Sequence, residues 1–325
     1  MERTSPALAD SRGLCTLTDG HAGNVRQAQS LARALGGEAR EAVLAPRAPW
    51  RWVAPRLLPG ATHAFGTAFH HLQMQPPALA IGCGRQAALA TRLLRMRGSR
   101  AIQILDPRID PSHWDLVIAP EHDGLTGPNV LTLLGSLNPV DDAWLADARA
   151  AFPSFAALPS PRTAVLLGGD SAHYRFDAAA FGRLASRLDA AATTHSLMLT
   201  TSRRTLPGVV DAVRQRWSAR ANTLLWCGAP DGPNPYAGLL AWADRIVCTP
   251  DSVNMLSEAC GTRAPVQVFE PERVSGRPRR FIDALLRHGR VRDLADGQAP
   301  FGGEPLRETA RIAAEVRARL DLPGR

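Results

Sequence analysis

Short apolar runs at 14–17, 78–81, 101–105, 115–119 and 130–134 alternate with stretches of helical period, such as 26–35 and 85–97, which stop at Gly36-Gly37 and Gly98. Runs of this length read as buried strands, and the longer periodic stretches as helices packed on them. Pro and Ala then thicken at 151–162 (AFPSFAALPSPR), which reads as a linker. The pattern restarts with strands at 163–167, 196–200, 223–226, 245–248 and 265–269, and with helices near 178–190, 209–216 and 253–260. Strands alternating with helices predict a parallel sheet covered on both faces. The expected fold class is therefore α/β, with two doubly wound Rossmann-like domains facing a cleft. Their expected spans are 1–155 and 156–304. A last helix at 305–320, within a tail of 305–325, follows Gly302-Gly303 and is free to pack back on the first domain.

Composition narrows the class. A chain of 325 residues has room for two domains. All 38 Lys or Arg positions are Arg and the formal net charge is +8, but the Arg residues are scattered, with no basic run interleaved with aromatics. That argues against a nucleic-acid partner and favours an anionic small ligand or an anionic lipid surface. The five cysteines show no CxxC or zinc spacing, and most sit in or beside predicted strands, so they read as small buried hydrophobes of a reduced, cytoplasmic chain. The first fourteen residues lack an apolar signal core and no apolar run approaches 18 residues, so neither secretion nor membrane crossing is expected.

In sheets of this kind ligands bind beyond the carboxyl ends of the strands. The segment RIVCTPDSVNMLSEACGTRAPVQVFE starts as a buried strand, and Asp251 or Ser252 can then cap a helix. Val253, Leu256 and Cys260 would pack on the sheet, while Asn254 and Glu258 share the opposite face with Asp251. The helix start is a natural seat for phosphate, and Glu258 could reach a ribose diol; an ordinary capped helix with an exposed Glu has the same pattern. In SLMLTTSRRTLP a strand runs into Ser202, Arg203 and Arg204, whose guanidinium forks suit phosphate oxygens or simply solvent. In VLLGGDSAHY, Gly168 and Gly169 allow a sharp turn and a close approach to a ligand, with Asp170 beside them.

In the first half, TDGHAGN follows the opening strand. Gly20 and Gly23 free the backbone, Asn24 can cap the next helix, and Asp19 and His21 stand where a general base would be required. GCGR at 82–85 and DPR at 106–108 occupy equivalent loops. His70 and His71 are adjacent and diverge, and HExxH, DxD, GxSxG and Walker A patterns are missing. No metal and no tightly bound cofactor are expected.

TDGHAGNVRQAQSLARAL, LLGGDSAHYRF, TTSRRTLP, TPDSVNMLSEA and RPRRFIDALLRHGRVRDL occur in one order between about residues 14 and 294. Together they resemble the "mitochondrial fission, elongated mitochondria" family of plants and many proteobacteria. That family is similar to GT-B glycosyltransferases. Its bacterial members are described as glycosyltransferases, and its plant member as a fission factor that recruits a dynamin-like protein. DSVNMLSEACGTRAPVQVFEPE also looks like the donor-binding segment of the peptidoglycan N-acetylglucosaminyltransferases, in which the glutamate matching Glu258 holds the ribose. The Gly-rich first loop of those enzymes falls on Gly20–Asn24, although DGHAGN departs from a run of glycines.

The resemblance implies a metal-independent enzyme moving a sugar from a nucleotide-diphosphate donor to an envelope or lipid-linked acceptor. In that expectation His21 or Asp19 deprotonates the acceptor. Arg203, Arg204 and the helix at Ser252 stabilise the departing diphosphate, and the nucleotide sugar is a co-substrate. A non-catalytic adaptor and a nucleotide-sugar epimerase are the alternatives. PWRWVAPRLL at 49–58 sets Trp50, Trp52, Val53, Leu57 and Leu58 beside Arg51 and Arg56. It suits either a weak, peripheral contact with the inner face of an anionic membrane or packing under a Pro-bounded loop.

Overall fold

The computed structural model describes residues 13–191, 196–297 and 301–322. The chain divides into two compact units, Met1–Pro139 with Glu308–Arg325, and Val140–Arg307. The division falls at 139/140, ahead of the Pro- and Ala-rich stretch expected to be a linker. That stretch is the end of a helix and a 3-10 turn, Pro153–Ala157, leading into a strand, and Phe155 is buried there.

In the first unit the strands are β1 (Leu14–Thr18), β2 (Ala39–Val43), β3 (Leu79–Cys83), β4 (Arg100–Ile104), β5 (Leu116–Pro120) and β6 (Val130–Leu133). Between them run α1 (Ala22–Ala34), α2 (Trp50–Val53), α3 (Gly66–Met74) and α4 (Arg85–Arg95). Among the described residues the sheet is parallel throughout, in the order β2-β1-β3-β4-β5-β6. Both faces of β1, β3 and β5 are buried, which is why they read as continuous apolar runs.

The second unit holds α5 (Asp142–Ala151), β7 (Arg162–Leu167), α6 (Ala178–Ala191), β8 (Ser196–Thr201), α7 (Pro207–Trp217) and β9 (Thr223–Trp226). After these come α8 (Tyr236–Trp242), β10 (Arg245–Cys248), α9 (Val253–Cys260), β11 (Val266–Val268), α10 (Gly276–Arg287) and β12 (Val291–Asp293). Its parallel sheet runs β12-β11-β10-β7-β8-β9. In each sheet the first strand in sequence lies inside, with later strands added on both sides. The order reverses between β1 and β3 and between β7 and β10, the position at which doubly wound sheets take ligands.

The helix α11 (Glu308–Arg319) belongs to the first unit. Ile312, Ala313, Val316 and Leu320 join Leu31 and Leu35 of the α1 region in one buried cluster. Thr309 Oγ1 donates to the Asn138 carbonyl at 2.7 Å, and Arg311 Nη2 to the Thr132 carbonyl at 2.8 Å.

Candidate functional site

The second unit brings three loops together at its switch point. Thr249 ends the run from β10, and its hydroxyl accepts from Gly168 N at 2.8 Å while donating to Asp251 Oδ1 at 2.7 Å. Asp251 Oδ2 accepts from Gly169 N at 3.1 Å and from Arg204 Nη2 at 2.6 Å. The Asp251 side chain is 0% exposed and that of Arg204 46%, so the pair carries a wholly buried carboxylate and a half-open guanidinium. Arg204 Nη1 also donates to the Asp170 carbonyl at 3.2 Å.

The two glycines are dictated by this crowding. A Cβ on Gly168 would lie 2.0 Å from Asp251 Oδ1, and one on Gly169 would lie 2.0 Å from the Arg204 carbonyl oxygen. They let the chain pass closely against the neighbouring loops. Asp170 turns back on its own loop, with Oδ1 accepting from Phe176 N at 2.8 Å.

Of the two cap candidates, Ser252 is the N-cap of α9 and accepts from Met255 N at 3.4 Å. Asp251 does not cap, because its carboxylate is committed to the loops. Arg203 is exposed next to Ser202, whose hydroxyl accepts from Arg204 N at 3.1 Å. Thr205 secures the turn by accepting from Ser202 N at 2.9 Å.

Glu258 is 2% exposed, so the alternative of an ordinary capped helix with an exposed Glu does not hold, and Val253 is only half-buried. The later turn of α9 is buried on every side from Leu256 to Cys260, so the 3,4 spacing did not separate a wet face from a dry one. Tyr236 Oη donates to Glu258 Oε2 at 2.6 Å. Asn254 is half-buried in the first turn. At their carboxyl ends β7, β8 and β10 therefore deliver Gly168, Gly169, Ser202, Arg203, Arg204, Asp251 and Ser252 to one edge, with Asn254 and Glu258 following along α9.

The first unit repeats the arrangement at its own switch point. Asn24 Nδ2 donates to Asp19 Oδ1 at 2.9 Å, and the Cys83 thiol donates to Asn24 Oδ1 at 3.6 Å. Asn24 is thus not a cap: α1 begins at Ala22, His21 occupies the cap position without a side-chain cap bond, and Asn24 lies within the first turn, as does Gly23. His21 Nδ1 stands 3.1 Å from Asp19 Oδ2, the imidazole 81% exposed and the carboxylate 19%. Gly84, at φ 90°, admits this cluster, since a Cβ there would meet Asn24 Nδ2 at 2.7 Å. Gly20 also has positive φ, and it faces Val43.

Arg85 opens α4 and reaches back from Nη1 and Nη2 to the carbonyls of Trp52 and Arg51, each at 3.1 Å. This pins α2 to the same sheet edge. Trp52 is 65% exposed and Val43 70%, with Leu58 also exposed. Trp50 and Leu57 instead pack against the core.

The cysteines are free, and burial pushes the thiols of Cys15 up to about 11 and Cys260 up to about 12. They are poor nucleophiles at neutral pH. Among the described residues there is no group of three His, Cys, Asp or Glu side chains able to hold a metal ion, and no helix long and apolar enough to cross a membrane.

Two six-stranded parallel sheets, each with its polar loops at the switch point, define a protein of two Rossmann-like domains in the GT-B-like class. In fold the chain is similar to UDP-GlcNAc 2-epimerase from Methanocaldococcus jannaschii, with TM-score 0.58 and 12% identity over 94% of this chain and 99% of that one. It is also similar to UDP-GlcNAc 2-epimerase from Neisseria meningitidis bound to UDP-GlcNAc, with TM-score 0.51 and 12% identity over 94% and 99%.

Residues 22–320 match the family described as Mitochondrial fission ELM1, and the chain belongs to that family. It is 30% identical over 279 residues to the mitochondrial fission protein ELM1 of Arabidopsis thaliana, a match covering 76% of this chain and 65% of that protein. This chain thus spans about two thirds of that relative's length.

Sequence reading missed Tyr236, Thr205 and Thr249. Tyr236 follows a Gly- and Pro-rich stretch (CGAPDGPNP) without strand or helix period; Thr249 looks like an ordinary strand-end residue and Thr205 like an ordinary loop residue.

Proposed function

We propose that the chain is a GT-B-like glycosyltransferase whose second unit binds a nucleotide-diphosphate sugar. The observation carrying this reading is the convergence at the β7/β10 switch point. There a capped helix start, a free-ended Arg203 and a buried Glu258 lie along one edge, held by the Asp251–Arg204 pair. The positive dipole end of α9 and the Arg203 guanidinium suit a diphosphate. Glu258 lies far enough along the helix to hold the ribose when phosphate is at the cap.

In the proposed transfer, His21 or Asp19 of the first unit removes the proton of an acceptor hydroxyl. The oxygen bonds to the anomeric carbon, and the bond from that carbon to the diphosphate oxygen breaks. The leaving diphosphate takes the electron pair and is stabilised by Arg203 and the helix start, without a metal or other cofactor. Arg204 has a positioning role in this scheme, because its charge is already matched by Asp251. An envelope or lipid-linked acceptor is the class favoured by Trp52, Val43 and the neighbouring Arg51 and Arg56, which suit a shallow contact with an anionic membrane.

The test is a thermal-shift series with nucleoside diphosphates and their sugars, since a ligand of the folded state must raise its stability. A rise in Tm with at least one of them, lost in Arg203→Ala, is expected. No rise with any would favour the second reading, a non-catalytic adaptor, which draws its support from membership of a family described by mitochondrial fission.

A further inference from the structure

The hydroxyl of Tyr236 and the carboxylate of Glu258 come from separate crossovers of the second unit and meet at 2.6 Å. This distance lies at the short end of the range for a hydroxyl donating to a carboxylate oxygen. Tyr236 is itself held in place. Its backbone N–H donates to Asn234 Oδ1 at 3.0 Å, and the preceding loop is pinned where Trp226 Nε1 donates to the Gly232 carbonyl at 3.0 Å. Arg214 Nη2 grips both oxygens of Asp231 at 2.8 Å, and Asp231 Oδ2 also accepts from Cys227 N at 2.7 Å. A fixed loop thus delivers one phenol to one buried carboxylate.

A glutamate side chain has three rotatable bonds, and freezing them on ligand binding costs affinity. A tyrosine that holds the carboxylate beforehand removes that cost, provided the carboxylate is the group the ligand uses. Building on the proposed nucleotide reading, we infer that Tyr236 is a positioning residue for ribose recognition: it presents the Glu258 carboxylate to the diol of the nucleotide. Tyr236 acts through Glu258, so its removal weakens only those ligands that carry the diol.

The experiment measures dissociation constants by calorimetry for UDP, GDP, ADP and CDP, taking the tightest together with its 2′,3′-dideoxy counterpart. Wild type, Tyr236→Phe, Glu258→Gln and the double variant are compared. The readout is the ratio of the dideoxy to the ribo constant. Partial unfolding of a variant scales both constants alike and cancels in the ratio, so a destabilised variant remains informative.

A wild-type ratio of about tenfold, falling toward one in Tyr236→Phe and no further in the double variant, is expected. Wild-type discrimination retained in Tyr236→Phe would overturn the inference while leaving the nucleotide reading intact. Equal weakening of both ligands in that variant would do the same, making Tyr236 a structural pin or a base contact. A wild type that does not discriminate would remove the ribose role of Glu258. A wild type that binds none of the four would overturn the nucleotide reading and this inference together.

Discussion

Arg204 and Asp251, 47 residues apart in sequence, form an ion pair at 2.6 Å in which only the arginine meets solvent. The adjacent Arg203 shares its loop but not its partner. Two neighbouring arginines of identical chemistry are thus divided between holding the loops and reaching outward. Replacing Arg204 by Ala strands a buried carboxylate that keeps only the Gly169 N–H and the Thr249 hydroxyl, and should cost about 3 kcal/mol of stability. Arg203→Ala should change stability by less than about 0.5 kcal/mol, yet weaken diphosphate binding by about 1.5–3 kcal/mol. Urea denaturation and calorimetry on the two variants separate the effects, and equal stability losses would refute the division.

Gly168→Ala and Gly169→Ala should each destabilise the second unit by about 1–3 kcal/mol or more, because the added methyl overlaps Asp251 or the Arg204 backbone. Neither loss should be rescued by ligand as fully as in wild type, since the displaced loops are those of the site. Tm with and without the best-binding nucleotide is the measurement.

Acid should weaken the second unit through Glu270. This buried carboxylate accepts from Arg183 Nε and Nη2 at 2.7 and 2.8 Å, and that bidentate contact holds it below its ordinary value of 4.5. A depressed carboxylate stabilises the fold fully above its unfolded value. The contribution is lost as pH falls from about 4.5 through the lower folded value, because the unfolded chain takes up the proton first. Urea midpoints between about pH 6 and 3 should fall more steeply in wild type than in Glu270→Gln. Parallel curves would show that other carboxylates dominate.

Trp52→Ser should reduce co-sedimentation with anionic vesicles while leaving Tm nearly unchanged, since the indole is largely exposed and each nearby Arg contributes about 1 kcal/mol at a charged leaflet. Trp50→Ser should lower Tm instead, because that ring packs on the core. Wild type partitioning equally with neutral and anionic vesicles, at the level of a soluble control, would rule out the membrane contact.

The strands β9 and β10 and the helix α9 could be read from sequence to the residue, because each is an unbroken run with clear stops on both sides. β2 could not. Its AREAV is a half-exposed edge strand whose polar positions carry no apolar run, and the three-residue β12 is too short to show a period. The loops of the site were found because strand ends announce them. Their internal wiring was not, since pairing Asp251 with Arg204 or Glu258 with Tyr236 requires knowing that β10 lies beside β7 and that α8 starts over α9. Asn24 was assigned to capping for the same reason: its partners, Asp19 and Cys83, come together only when β3 pairs with β1.

The second unit is an insertion in the first. Its entry and exit are stapled where Arg307 Nη1 and Nη2 grip both oxygens of Asp142, at 2.9 and 2.6 Å. During synthesis, therefore, residues 140–307 can complete their own sheet while the earlier unit still waits for α11. Until residues 308–320 emerge, Leu31 and Leu35 lack the cover of Ile312, Val316 and Leu320.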